Sequence, residues 1–225
     1  NCQRCCVLEV KYKIRPRSLP FTLNIGIDNL CKNEFDHYRD RQEPHPLFIK
    51  NGIDAVPFKH PDIDEWRNNF KGIRYISEEH QYNFGGAIDD VWEKPNGQLI
   101  ISDVKTTAKN EFDWEDTYNK YDYAKGYQRQ LEMYQWLFKM NGYDVAPEAY
   151  IIYYNGKKNE PFFDKKLEFD EYVIKLDCST DWVEEKVIAT ANLIRSDEFP
   201  KPSNTCENCN YLKKRWELSQ KINSE

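Results

Sequence analysis

Asp89, Asp103 and Lys105 interrupt the apolar runs of the segment GGAIDDVWEKPNGQLIISDVKTT, Gly85 to Thr107. Strand side chains return to the same face every second residue, so Leu99, Ile101, Asp103 and Lys105 share one face. The dipeptide Asn96-Gly97 signals a tight hairpin turn. A turn centred on Asn96 puts residue 96 − n opposite residue 96 + n, which sets Asp89 against Asp103; a half-residue displacement leaves them diagonal. Opposed like charges destabilise a sheet, and carboxylates withdrawn from water without a partner are costly. A divalent cation answers both, and hard oxygen ligands suit Mg²⁺ or Mn²⁺. Lys105 points to the same spot, where an ammonium steadies an attacking water or the charge developing on a phosphate. An arbitrary D-x-K is usually a solvated ion pair. Apolar flanks, an opposed acid and a turn of matching length shift the reading towards a site.

The cysteines form a second constellation. Cys2, Cys5 and Cys6 open the chain as CQRCC, and Cys206 and Cys209 close it as CENC. Two C-x-x-C pairs supply four thiolates for one metal centre, and either tetrahedral zinc or an iron–sulfur cluster fits. Such a tie closes a loop of nearly the whole chain and stabilises the fold by restricting the unfolded state. The plainer alternative is a set of reduced surface thiols. Cys31 and Cys178 are isolated in apolar patterns and read as buried small hydrophobes.

The elements that must position these groups follow from periodicity. A helix is expected from Cys5 towards Tyr12, and another over Thr22–Tyr38 with Leu23, Ile27, Leu30, Cys31 and Phe35 on one face. Pro44, Pro46, Pro57 and Pro61 make the next stretch loop-rich, and a short helix after Asp62 carries Ile63, Trp66 and Phe70. Strands are expected over Ile73–Phe84, Ala87–Trp92 and Leu99–Thr106, a loop over Lys109–Tyr121, and a helix over Asp122–Met140. Strands Ala149–Tyr154 and Pro161–Phe169 and a helix from Thr180 to Ser196 complete the set. This order implies an α/β sandwich in one domain, residues 1–225.

Composition sets the bounds. The 225 residues are 40% hydrophobic and 31% charged, so a core is available. No apolar run approaches the roughly 20 residues of a membrane span, and no signal-peptide pattern is visible. No membrane partner is expected, and the expected location is cytoplasmic. A net charge of −6 gives no basic footprint of the kind nucleic-acid binders usually show, although carboxylates that hold cations are counted as negative here. The basic clusters Lys11, Lys13, Arg15, Arg17 and Lys213, Lys214, Arg215 read first as solvated faces. Aromatic residues, at 15%, offer stacking platforms for unpaired bases, but most are expected in the core.

Gly86-Ala87-Ile88-Asp89, followed by Asp103-Val104-Lys105, resembles the G-h-h-D and D-h-K elements of the PD-(D/E)XK nuclease superfamily. On the helix downstream, Gln130 and Tyr134 match the Q-x-x-x-Y element of its RecB-like branch, which includes CRISPR-associated exonucleases and nuclease domains of recombination helicases. The match covers Gly85 to Tyr134, with its three elements in order. The resemblance implies a restriction-endonuclease-like core, a central mixed β-sheet flanked by helices. It implies Asp89, Asp103 and the backbone carbonyl of Val104 as ligands of Mg²⁺ or Mn²⁺. Lys105, Gln130 and Tyr134 complete the implied active-site region. The proline of the family name is Ile88 here. The branch often adds a histidine from an upstream helix; here Asp28 or Glu34 would substitute, Glu34 being carried among the expected ligands, and His37 is expected on an exposed face. Several members staple their ends with a [4Fe–4S] cluster held by one early and three late cysteines. Here the arrangement is two and two, with Cys6 able to replace one of the first pair, so zinc competes. The implied activity is metal-dependent DNA cleavage, with single strands or duplex ends as partner, in repair, recombination or defence. A non-catalytic nucleic-acid-binding adaptor and a metal-stapled structural protein are the rivals.

Overall fold

The computed structural model describes residues 2–16 and 21–222; Arg17 of the N-terminal basic cluster lies outside them. The chain divides into a larger unit, Phe21–Ser77 with Asn83–Glu184, and a smaller one, Asn1–Pro20 with Glu78–Tyr82 and Glu185–Glu225.

The larger unit is built on a five-stranded mixed sheet, ordered β1 (Val56–Pro57), β4 (Asp90–Glu93), β5 (Leu99–Thr107), β6 (Val145–Gly156) and β7 (Phe169–Asp177). Only β5 and β6 run parallel. A parallel pair needs a crossover, and helix α6 (Asp122–Met140) supplies it. Leu131, Leu137 and Phe138 of α6 are buried, and the helix packs on β5 and β6. Another core group joins Phe35 of helix α2 (Thr22–Arg41) and Leu47 and Phe48 of α3 (Pro46–Asn51) to Trp92, Ile100 and Ile152 of the sheet. Leu99 to Asp103 are all buried, which is why β5 reads as a continuous apolar run rather than an alternating one. Strands β2 (Ile73–Ser77) and β3 (Tyr82–Gly86) form a separate two-stranded sheet, and α4 is a single turn, Ile63–Trp66.

Several expected elements shift. The strand expected over Ile73–Phe84 is broken, with Gln81 in the left-handed region (φ 51°) ahead of β3. The last strand begins at Phe169 instead of ending there. Part of the expected loop over Lys109–Tyr121 is helix α5 (Trp114–Lys120), whose first turn is capped by Asp113 accepting from the Asp116 N–H at 2.7 Å. On α2 the expected apolar face is only half right. Cys31 and Phe35 are buried, but Leu23 and Leu30 are exposed and Arg39 takes the next buried position.

In the smaller unit, α1 (Gln3–Val10) carries the first cysteines and α8 (Glu207–Ile222) begins between the last two. Helix α7 (Val183–Arg195) lies in this unit except for its first two residues. Lys213, Lys214 and Arg215 are exposed on α8, the solvated face expected of them. Among the described residues no helix is long and apolar enough to cross a membrane.

Candidate active site

The hairpin has the expected register. Asp90 pairs with Ser102 and Val91 with Ile101, so Asp89, one residue ahead of β4, comes to Asp103. Its carboxylate accepts the Val104 N–H at 2.8 Å, which ties the two strands at the site. Asp103 is 2% exposed. Burial first, and then the charge of Asp89, push its carboxyl up to about 7. Lys105 lies directly against Asp103. Burial alone would depress the Lys105 ammonium, but the charges of Asp103 and Asp89 outweigh it and raise its pKa.

A third acid arrives from α2. Asp28 is half-buried, and burial followed by the charge of Asp89 raises its pKa. Lys32, one turn on, donates to Asp28 at 2.7 Å and stands 3.6 Å from Asp89. The second carboxylate oxygen of Asp28, Oδ1, is buried without a hydrogen-bond partner among the described residues. Carboxylates are the donors a hard divalent cation takes; Asp28 and Asp89 share Lys32, but Asp28, Asp89 and Asp103 do not bring one oxygen each within 4.8 Å of one another. Glu34, carried from the sequence as the upstream ligand, does not join them: it is exposed and stands 3.3 Å from the His45 imidazole. The turn between positions 28 and 34 explains this, since six residues along a helix leave a side chain about 120° around the axis from the first. His37 is exposed, as expected.

Gln130 and Tyr134 meet each other on α6, Gln130 Nε2 donating to the Tyr134 hydroxyl at 2.7 Å. The Tyr134 ring lies so close to the backbone of Gly86 that a Cβ there would stand 2.6 Å from ring carbon Cε1. The glycine of the G-h-h-D element is thus the space that seats this tyrosine. Burial raises the pKa of its hydroxyl, so it stays protonated.

Beneath the site lies a charge network that sequence reasoning missed. Asp90, 1% exposed, points away from Asp89 and accepts from Arg39 Nη2 at 2.7 Å and Arg67 Nη2 at 2.8 Å. Both arginines also donate to Asp36, and Arg67 Nε donates to the Asp89 carbonyl at 3.1 Å. The network locks α2, which carries Asp28, to the residue that carries Asp89. The doublet Asp89-Asp90 held the available signal, since strand alternation sends one acid to each face.

In the smaller unit, the sulfurs of Cys2, Cys5, Cys206 and Cys209 all lie within 4.8 Å of one another. The separations Cys5–Cys206, Cys5–Cys209 and Cys2–Cys209 are 3.5, 3.6 and 3.7 Å. Cys6 is outside the set. Burial opposes ionisation of Cys2, but backbone hydrogen bonds from Ser203 and Cys5 and the thiols of Cys209 and Cys206 bring its pKa down to about 6. Burial and the same neighbours drive Cys5 upwards. Four sulfurs this close are a ready set for a metal ion that displaces their protons.

A mixed sheet covered by helices, with acids and a lysine where β4 and β5 meet, defines a restriction-endonuclease-like α/β protein. The family model of the PD-(D/E)XK nuclease superfamily matches residues 28–213, and the chain belongs to that superfamily. Its members are as a rule metal-dependent nucleases. A solved structure described as "Crystal structure of SSO0001" is 15% identical, with 88% of this chain and 87% of that one covered at a TM-score of 0.31. No curated protein matches.

Proposed function

We propose that the chain is a Mg²⁺- or Mn²⁺-dependent deoxyribonuclease of the RecB-like branch, an exonuclease acting on DNA ends or single strands in repair, recombination or defence. One observation carries the reading: Asp89, Asp103 and Lys105 converge where β4 and β5 meet, and Asp28, with an unpartnered oxygen, is linked to Asp89 through Lys32. Asp28, Asp89 and Asp103 would hold the cation, with the Val104 carbonyl beside them. Bound there, the cation supplies Lewis-acid activation of water and of the scissile phosphate.

The chain's own residues do the rest. Lys105 places a fixed positive charge beside the reacting phosphate, where it opposes the negative charge that builds as the bond breaks. Lys32 pairs with Asp28 and Asp89, neutralising the acids until a cation takes that role. Gln130 and Tyr134 hold α6 against Gly86 and so fix the wall of the site. The test is cleavage of labelled single- and double-stranded DNA with Mg²⁺, Mn²⁺ or EDTA. Asp103→Ala and Lys105→Ala should each cost on the order of 10³-fold or more in rate, the loss of several kcal/mol of transition-state stabilisation. Undiminished cleavage by both overturns the mechanism. Binding without cleavage by the parent protein makes it an adaptor.

Residues 1–225 read as one nuclease-like domain, closed by the cysteine site and kept reduced in the cytoplasm. Zinc is favoured over a [4Fe–4S] cluster there. Thiolates on one tetrahedral ion at Zn–S ~2.3 Å stand about 3.8 Å apart, close to the 3.5–3.7 Å of three sulfur pairs, with the whole set within 4.8 Å. A cubane cluster keeps its thiolates on the outside of a larger cage. Colourless protein carrying zinc is the expected result of metal analysis after anaerobic purification. Brown protein carrying iron would reverse the assignment.

A further inference from the structure

Tyr127, on the face of α6 beside the site, has the Lys105 ammonium 4.9 Å from its ring centroid. One helical turn earlier, Tyr123 stands 5.6 Å from Tyr127, and Tyr121 stacks on Tyr123 at 5.3 Å with the ring planes 22° apart. Lys109 closes the outer end, its ammonium 5.2 Å from the Tyr121 centroid. Phe112 backs Lys109 and packs on Tyr153 at 4.5 Å. The two outer tyrosines are 40% and 42% exposed. Phe70 and Phe162 are more exposed still, but neither belongs to a row of rings that ends at the active-site lysine.

Three rings in series, with an ammonium at each end, are what a single strand with unstacked bases requires. The faces the rings leave open take the bases, and the lysines at the two ends take the flanking phosphates. Duplex bases are already stacked on one another and have no faces to offer. We infer that Tyr121, Tyr123 and Tyr127 form a stacking track that receives unpaired nucleotides and leads the strand to Lys105. This rests on the nuclease reading and narrows its substrate to single strands or frayed ends.

The experiment is fluorescence anisotropy in EDTA, where cleavage plays no part. The probes are a labelled oligothymidylate of about 12 nucleotides and a blunt hairpin duplex of equal length. Tyr123→Leu, and Tyr121→Leu with it, should weaken single-strand binding about tenfold per ring and leave duplex binding unchanged. Tyr123→Phe, which keeps the ring, should bind like the parent, and its thermal midpoint controls for folding. The track is overturned if Tyr123→Leu binds the single strand normally, if it loses duplex binding equally, if the phenylalanine variant fails as badly as the leucine one, or if the parent does not bind the oligothymidylate. Because cleavage is measured separately with Asp103→Ala, a failed track and a failed nuclease reading give different results.

Discussion

Asp90→Ala is expected to destabilise the protein by about 3–5 kcal/mol, the cost of stranding one side of a buried ion pair. The residue is 1% exposed and accepts charge-assisted hydrogen bonds from two guanidiniums that are themselves buried. Asp36 still partners both arginines, but it is half open to solvent and cannot take over the Asp90 position. For a chain of this size, each kcal/mol moves the thermal midpoint by roughly 2–4 °C, so a drop of about 10 °C is expected. Asp90→Asn keeps the shape and one acceptor oxygen, and should recover part of the loss. Asp36→Ala should cost less than Asp90→Ala. A midpoint for Asp90→Ala within a degree of the parent would show that the network carries no stability.

Asp103→Asn is expected to act in opposite directions on stability and on chemistry. In the metal-free protein the Asp103 carboxyl has its pKa raised to about 7 by burial and by Asp89, against an ordinary value of roughly 3.9 in an unfolded chain. Between those two values the folded state holds a proton that the unfolded state has released. Stability therefore falls as pH rises from about 4 to about 7, and the loss is complete above it. An asparagine does not titrate, so in EDTA the variant should lack this component of the slope and should exceed the parent in midpoint at pH 8. Adding Mg²⁺ should stabilise the parent and leave the variant nearly unmoved. Cleavage by the variant should be lost. Identical pH profiles in EDTA for the two proteins would remove the buried, protonated Asp103 from the account. Asp36, whose two arginines pull its pKa below the ordinary value against the effect of burial, titrates in both proteins and cancels in the comparison.

The hairpin and the helix behind it were legible because local rules fix them. Asn96-Gly97 sets the register that brings Asp89 to Asp103, and the apolar period of α6 gives its bounds, Asp122–Met140. Helix α5 had its own signal in Asp113 followed by Glu115 and Asp116, an N-cap with an acidic first turn. The aromatic character of that stretch masked it. The upstream acid was not decidable from spacing. Asp28 and Glu34 lie on one helix, and only the packing of Phe35 against Trp92, at 5.9 Å, determines which face meets the sheet. Arg39 in a buried position broke the apolar pattern for the same reason. Its partner Asp90 is remote in sequence, and a buried ion pair leaves no periodicity in either segment.

The cysteine site also has an order in time. Cys5 and Cys209, whose sulfurs stand 3.6 Å apart, are separated by 204 residues. A ribosome adding about 5–20 residues per second takes roughly 10–40 s to travel from one to the other. Throughout that interval the nascent chain carries half a chelate, able to bind a metal loosely or to be oxidised, but not to close. The last thiols to be synthesised decide when the first become inert. Metal supply once the last cysteines are made, more than before, should therefore govern how much of this protein matures.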